Sequence, residues 1–208
     1  MEKGRTLFDI SQEVFSCNVY PGDPAPEVIP KMRISDGAVC NLTAFSMCAH
    51  NGTHVDAPYH FIDGGKTIDR IPLQRWVGYA YVAAREGVLS AADAEGILRK
   101  AEEAAGRSGI PDCDASGRIL VRGKAFVSEA AAEVFANRGI LLFGNESQTV
   151  GPEDAPAAVH RILLGRGIVL LEGIRLGEVK EGIYFLNAAP LNLGGADGAP
   201  CRAWLMEA

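Results

Sequence analysis

Three of the four histidines in the chain lie within the eleven residues HNGTHVDAPYH, at His50, His54 and His60, and Asp56 lies among them. Imidazole nitrogens and carboxylate oxygens are the ligands that Zn²⁺ and Mn²⁺ prefer. A carboxylate has two oxygens, so this aspartate is able to bridge two ions. Without a metal, the four polar side chains would be poorly compensated at the edge of an apolar core. We therefore interpret the stretch as a metal site.

The backbone conformation decides which of these side chains can meet. In a helix, His50 and His54 would share a face, but Asp56 would point roughly 200° away from His54 at ~100° per residue. The asparagine-glycine pair and the proline of the stretch also oppose a helix. In an extended strand, alternation with period two places all four polar side chains on one face. We therefore predict a strand, in which a bend at the glycine or the proline would gather the polar groups.

The fourth histidine, His160, precedes the buried strand GIVLLE, which ends at Glu172. In α/β folds, ligand groups lie at the carboxyl ends of parallel strands. An ordinary strand-end carboxylate facing water fits the spacing equally well, and a helical histidine beside an arginine is often exposed. From the residues alone, both interpretations of this pair stay open.

The elements that must position these residues indicate an α/β fold in a single domain, residues 1–208. Short β-prone runs come first, at 6–10, 14–20, 27–34, 39–48 and 78–84. Helices predicted at 90–107, 128–139 and 153–165 then alternate with buried strands at 118–122, 139–144 and 167–172. Pro156 suits the first turn of the third helix. This pattern predicts a β-rich front and a mostly parallel central sheet, and β-like runs at 183–187 and 203–206 close the chain.

Composition excludes several classes of function. The formal net charge of −6 argues against nucleic acid or an anionic membrane as a partner. The sequence has no run of ~18 apolar residues and no secretory signal at its start. Five scattered cysteines without a CxxC pair predict reduced thiols in a cytoplasmic protein. The glycine-rich residues 194–198 have no GxGxxG spacing and no following helix, so we do not expect phosphate binding there.

The motif HNGTHVDAPYH resembles the H-x-G-T-H-x-D-x-P-x-H signature of the cyclase-like metal-dependent hydrolases, a family that includes bacterial kynurenine formamidase and isatin hydrolase. Further stretches resemble family landmarks in family order, namely DIS, YPGDP, GILLFGNESQ, IVLLEG and GGADGAPCRAWL. The resemblance therefore extends along most of the chain. It implies a swivelling β/β/α domain that forms a homodimer or a higher homo-oligomer.

The resemblance also implies roles for individual residues. Carried over position by position, the metal ligands are His50, His54, Asp56, His160 and Glu172. Two ions are implied, Zn²⁺ or alternatively Mn²⁺, and Asp56 and Glu172 are shared between them. His60 is implied to be the catalytic acid and base. This assignment accounts for all four histidines of the chain.

The implied activity is hydrolysis of a C–N bond in a small-molecule amide by metal-activated water. The expected substrate is an aryl formamide like N-formylkynurenine, or a cyclic amide, with Tyr20 and Phe61 as aromatic walls. Kynurenine formamidases typically have Trp where this chain has Tyr20, which changes the shape and polarity of the wall. A metal-dependent cyclase or lyase acting on a carbonyl compound, and a non-enzymatic metal-binding protein, are the alternatives.

Overall fold

The computed structural model describes residues 5–208. Within these residues the chain forms thirteen strands and three α-helices. The strands are β1 Leu7–Asp9, β2 Glu27–Met32, β3 Leu42–Ser46, β4 His54–Asp56, β5 Val77–Ala84, β6 Gly87–Leu89, β7 Arg118–Arg122, β8 Ala125–Val127, β9 Leu142–Asn145, β10 Val169–Glu172, β11 Gly182–Asn187, β12 Gly198–Pro200 and β13 Trp204–Glu207. The helices are α1 Ala91–Arg107, α2 Glu129–Arg138 and α3 Ala157–Gly165.

Nine strands form one mixed sheet in the order β1-β13-β11-β5-β7-β9-β10-β4-β12. Its four central strands, from β5 to β10, pair in parallel, which confirms the predicted parallel centre and the α/β class. Antiparallel strands extend the sheet on both sides. On one of these sides β4 pairs with β10 and, along its other edge, with β12.

The two faces of the sheet carry separate apolar clusters. One cluster lies under the three helices and includes Ile97, Phe135 and Leu163. The other covers the opposite face and includes Trp76 and Leu205. Strand β10 contributes to both clusters, because consecutive side chains of a strand point to opposite faces. Its last residue, Glu172, therefore points towards the helices, as does Leu170 of the helix-side cluster two positions earlier.

The third helix is shorter than predicted. It begins at Ala157 instead of residue 153, and Pro156 precedes it as the N-cap instead of lying in the first turn. Residues 152–155 form a turn closed by a 3.1 Å hydrogen bond from the Ala155 amide to the Pro152 carbonyl. A residue before proline disfavours helical dihedral angles, which explains the late start.

The predicted strands of the front are partly wrong. Residues 14–20 form no strand, because the Glu13 carboxylate accepts hydrogen bonds from the amides of Phe15 and Ser16 and caps a 3₁₀ turn. The predicted strand 39–48 shortens to β3. The short strands β6, β8 and β12 were not predicted. Strands of three residues present too short a pattern for periodicity to reveal them.

Strands β2 and β3 form a separate two-stranded sheet, which we call the arm. Most of its side chains are exposed, including Val28, Leu42 and Phe45. Two-stranded hairpins are marginally stable alone.

Within residues 5–208, none of the helices has the length and apolar character needed to cross a membrane.

Candidate metal centre

The histidine motif is extended only in its middle. The predicted strand is confirmed for β4 alone, because the backbone turns at Gly52, with φ +62°, and again in the 3₁₀ turn Pro58–His60. Both predicted bends are therefore present. They fold the ends of the motif back on each other, so that the rings of His50 and His60 stack with centroids 3.9 Å apart.

Strand pairing and helix packing bring the two distant residues to the motif. In the antiparallel pair of β4 and β10, Glu172 lies directly opposite His54. His160 reaches the same place from α3. The resulting cluster consists of four buried residues, His54, Asp56, His160 and Glu172. Asp56 is fully inaccessible, and Glu172 is only 2% exposed. The open question about Glu172 is thereby resolved, since its carboxylate faces the cluster and not water.

The two carboxylates each offer one oxygen to each of two histidines. His54 Nε2 lies 3.5 Å from Asp56 Oδ1 and 3.3 Å from Glu172 Oε2. His160 Nε2 lies 3.6 Å from Asp56 Oδ2 and 3.1 Å from Glu172 Oε1. Metal–ligand bonds of ~2.0–2.1 Å in tetrahedral geometry place neighbouring ligand atoms about 3.3 Å apart. The separations therefore match two ligand sets that share both carboxylates.

The other nitrogen of each histidine is fixed by the backbone. His54 Nδ1 donates to the Gly52 carbonyl at 3.0 Å, and His160 Nδ1 donates to the Pro156 carbonyl at 2.8 Å. A carbonyl oxygen only accepts hydrogen bonds, so the proton sits on Nδ1 in both rings. Nε2 is consequently the nitrogen that faces the carboxylates. This arrangement is typical of metal-binding histidines.

One atom of the cluster supports a metal directly. Asp56 Oδ2 is buried and has no hydrogen-bond partner among the described residues. An unpaired buried carboxylate oxygen costs free energy that a bound cation would recover. Histidine and carboxylate donors at these separations fit Zn²⁺ or Mn²⁺. The residues present therefore fit the metals that the resemblance implies.

His50 and His60 meet a further carboxylate, that of Asp197. His50 Nδ1 lies 2.9 Å from Asp56 Oδ1, while its Nε2 lies 2.9 Å from Asp197 Oδ2. The same oxygen lies 3.0 Å from His60 Nδ1. Asp197 was not among the predicted site residues, although it lies in the stretch GGADGAPCRAWL that resembles a family landmark. The Asp-Gly pair at the start of β12 was the available signal, but nothing local in the sequence connects it to the histidines.

In the metal-free protein, protons compensate the buried carboxylates. Burial lowers the pKa of His50, but hydrogen bonds to Asp197 and Asp56 outweigh it and raise this pKa to about 11. Burial also opposes the charged form of His160, yet the hydrogen bond to Glu172 raises its pKa to about 9. Burial alone would raise the pKa values of Asp56 and Glu172, and the histidine contacts hold both below their usual range.

The predicted substrate residues border a small cavity next to this cluster. The cavity has a volume of about 230 Å³, and Tyr20 and Phe61 both line it. The Phe61 ring lies against the His160 ring, with centroids 4.5 Å apart. The Tyr20 hydroxyl donates to the Glu153 carbonyl at 3.1 Å, so its ring is held in place.

Hydrogen bonds between loops hold the motif against β10. The Thr53 hydroxyl donates to the Gly173 carbonyl at 2.8 Å and accepts from the Gln12 amide at 2.9 Å. Gln148 donates to the Gly52 carbonyl at 3.1 Å. A Cβ on Gly173 would lie 2.3 Å from that carbonyl oxygen, so only glycine permits this approach. These contacts connect four separate segments around the cluster.

A mixed α/β sheet that carries buried histidines and two buried carboxylates beside a cavity is typical of a metal-dependent enzyme. The family model described as "Putative cyclase" matches residues 8–152. A kynurenine formamidase of Salinibacter ruber is 34% identical over 97% of this chain and 98% of its own length. One of Paracidovorax citrulli is 32% identical over 99% and 98%. The chain therefore belongs to the putative cyclase family.

Solved structures agree with this assignment. A potential metal-dependent hydrolase with cyclase activity has a TM-score of 0.76 and 26% identity, with 98% of each chain covered. An isatin hydrolase A from Labrenzia aggregata has a TM-score of 0.76 at 20% identity, covering 98% of this chain and 94% of that one. The second likeness supports the fold alone. The predicted family and fold are thus confirmed.

We expect metal binding to the metal-free protein to release protons. At about pH 8, His50, with its pKa of about 11, and His160, with its pKa of about 9, both carry a proton. A coordinating imidazole must be neutral, so each ion displaces at least one proton. Affinity should therefore rise with pH in this range and fall as the pH drops. Zinc titration calorimetry in two buffers of different ionisation enthalpy measures the protons released.

Equal heats in the two buffers would contradict this expectation. The variant His160→Ala serves as the control, because it removes one of the two histidines with a raised pKa. It should release fewer protons per chain than the unaltered protein when saturated with zinc.

Proposed function

We propose that this protein is a metal-dependent amide hydrolase that cleaves the C–N bond of an aryl formamide. Two ions, Zn²⁺ or Mn²⁺, would be held by the five ligands that the resemblance implies, with Asp56 and Glu172 shared between them. The observation that carries the proposal is the buried pair of carboxylates, each within 3.6 Å of two histidine nitrogens. The kynurenine formamidases among its relatives support the same reaction class.

A bound divalent ion supplies Lewis-acid chemistry there, since it polarises a carbonyl oxygen and makes water more acidic. The protein's own contribution begins with shape. Bulk water is excluded where the buried cluster packs against the sheet. Substrate enters through the cavity on the opposite side of the cluster. In this low-dielectric setting, charge developing on the substrate oxygen is stabilised more strongly than in bulk solvent.

His60 moves the proton that the reaction requires. An amine leaves poorly from a tetrahedral intermediate unless its nitrogen is protonated. The His60 ring lines the cavity, and its Nδ1 is occupied by Asp197, so Nε2 is the nitrogen available for exchange. In the proposed reaction, Nε2 accepts a proton from the attacking water and delivers it to the leaving nitrogen. An imidazole nitrogen can both accept and donate a proton, so one ring serves both steps.

The cavity walls favour an aromatic substrate. Phe61 and Tyr20 provide two aromatic surfaces, and the ring of Phe61 lies against His160 at an angle of 32°. A flat aryl group can lie between such surfaces with favourable ring contacts. N-formylkynurenine is one substrate of this class. The tyrosine is smaller than the tryptophan typical of kynurenine formamidases, which suits a bulkier or differently substituted ring.

The zinc-loaded or manganese-loaded protein should hydrolyse an aryl formamide. The test is a panel of N-formylkynurenine, formanilide, isatin and a simple aryl ester, assayed for the acid and the amine or alcohol released. Asp56→Asn is the control, because it removes a shared carboxylate and should abolish both metal binding and turnover. No turnover of any compound, with two ions bound per chain, would contradict the proposal. That result would favour the metal-dependent cyclase or lyase.

His60→Ala should lower kcat without removing metal. The loss of a general acid and base typically costs about 10²–10⁴-fold in rate. Metal content per chain is measured alongside kcat by inductively coupled plasma mass spectrometry. Tyr59→Ala is a matched control, since Tyr59 lies in the same turn but is 44% exposed and outside the cavity lining. If His60→Ala loses metal, the histidine is a ligand and the proposed role is wrong.

We also propose that the protein is a homodimer or a higher homo-oligomer that covers the arm. The arm exposes Phe45, and a groove of about 820 Å³, lined by Phe15, Phe45 and Leu191, lies beside it. Apolar surface of this kind is stabilised by burial against a second copy. Sedimentation velocity should give at least twice the chain mass of 22.1 kDa.

Phe45→Ser should weaken this association, because it replaces an apolar arm residue by a polar one. Leu73→Ser is the matched control, since Leu73 is also exposed but lies outside the arm. A monomeric unaltered protein, or equal effects of the two variants, would rule the interface out.

A further inference from the structure

A single carboxylate oxygen connects two histidines of different proposed roles. Asp197 Oδ2 lies 2.9 Å from His50 Nε2 and 3.0 Å from His60 Nδ1. The two rings are stacked, with their planes 23° apart and their centroids 3.9 Å apart. An ionised carboxylate only accepts hydrogen bonds, so both imidazole nitrogens that face it must be donors. The oxygen therefore constrains the proton position in both rings.

The backbone around Asp197 holds this oxygen in place. The Asp197 carbonyl accepts a 2.9 Å hydrogen bond from the Ala57 amide, directly after β4. The next residue, Gly198, lies opposite Asp56 in the pair of β12 with β4. A Cβ on Gly198 would lie 2.6 Å from His50 Cε1. Glycine at this position thus lets β12 approach the histidine and presents the aspartate to both rings.

The loop before β12 is anchored as well. The amide of Gly195 donates to the Asp69 carboxylate at 3.1 Å, and the Ile68 amide donates to the Ala196 carbonyl at 2.9 Å. The Asp197 side chain is 40% exposed, so it faces the solvent side of the cluster and not the buried side. Holding this partly buried aspartate in an anchored loop costs conformational freedom. Its hydrogen bonds to the two histidines offset this cost.

We propose that Asp197 is a positioning residue that fixes the tautomers of His60 and His50. Its hydrogen bond keeps the proton of neutral His60 on Nδ1 and leaves Nε2 free to accept a proton in the cavity. The hydrogen bond to His50 Nε2 directs the Nδ1 of that ring towards Asp56, where the first ion would bind. The inference rests on the proposed function for the role of His60. Carboxylates that orient a histidine in this way change metal affinity or activity by about 10–100-fold.

Asp197→Ala should therefore lower kcat by about 10–100-fold at saturating zinc, with KM changed less than kcat. At saturating zinc, a weaker affinity for zinc caused through His50 no longer lowers kcat. The loss of kcat that remains is therefore the effect through His60. In a His60→Ala background, Asp197→Ala should cost less than about threefold in kcat, because residues that act through each other are not additive. Asp63→Ala is the matched control, since Asp63 is exposed, follows His60 by three residues and has no side-chain ion pair in the described chain. It should change neither parameter.

Nitrogen-15 spectra of the zinc-loaded protein give a measurement that does not depend on turnover. In the unaltered protein, neutral His60 should show a protonated Nδ1 and an unprotonated Nε2. In Asp197→Ala the proton should redistribute between both nitrogens, and in Asp197→Asn, which retains an accepting oxygen, the Nδ1 proton should be largely kept. If the substrate panel fails but the spectra change in this way, the positioning role stands and only the proposed reaction fails.

Two outcomes would overturn the inference. The first is a His60 tautomer that is the same with and without Asp197. The second is an active enzyme in which Asp197→Ala lowers kcat by the same factor whether or not His60 is present. Either result would mean that the aspartate only stabilises the loop before β12.

Discussion

The structure depends on the burial of two carboxylates beside each other. Asp56 and Glu172 are both almost completely inaccessible, and their oxygens face the same pair of histidines. Two like charges at such a place would repel each other unless positive charge lies between them. In the metal-free protein, protons on the histidines provide that charge. In the proposed enzyme, metal ions take the place of these protons, so protons and metal ions compete to neutralise the same two carboxylates.

The sheet explains how two residues 116 positions apart in sequence reach each other. Glu172 ends a strand of the parallel centre, and β4 lies antiparallel beside that strand, so its two polar residues alternate with a valine of the opposite cluster. Helix α3 then packs over the same face and adds its histidine. Strands with one fixed register give side chains little freedom, which holds the cluster in one arrangement.

Much of this arrangement could be predicted from the sequence. The spacing within HNGTHVDAPYH is local, so both its extended middle and its bends could be inferred from residue type. Asp197 could not, because its contacts depend on how β12 pairs with β4, about 140 residues earlier in the chain. A strand of three residues has no periodicity, and its register follows from the rest of the sheet. The missing strand at 14–20 has a local cause, since the capping carboxylate of Glu13 outweighs the β propensity of these residues.

The four histidines divide into two pairs by what their second nitrogen contacts. His54 and His160 donate to backbone carbonyls, which fix the ring and add no charge. His50 and His60 share the Asp197 carboxylate, which fixes both rings and, together with Asp56, raises the pKa of His50. The first pair is buried and suits the steady holding of an ion. In the second pair, the carboxylate sets the proton position of the His60 ring, which suits that ring for the proposed proton transfer to a leaving amine.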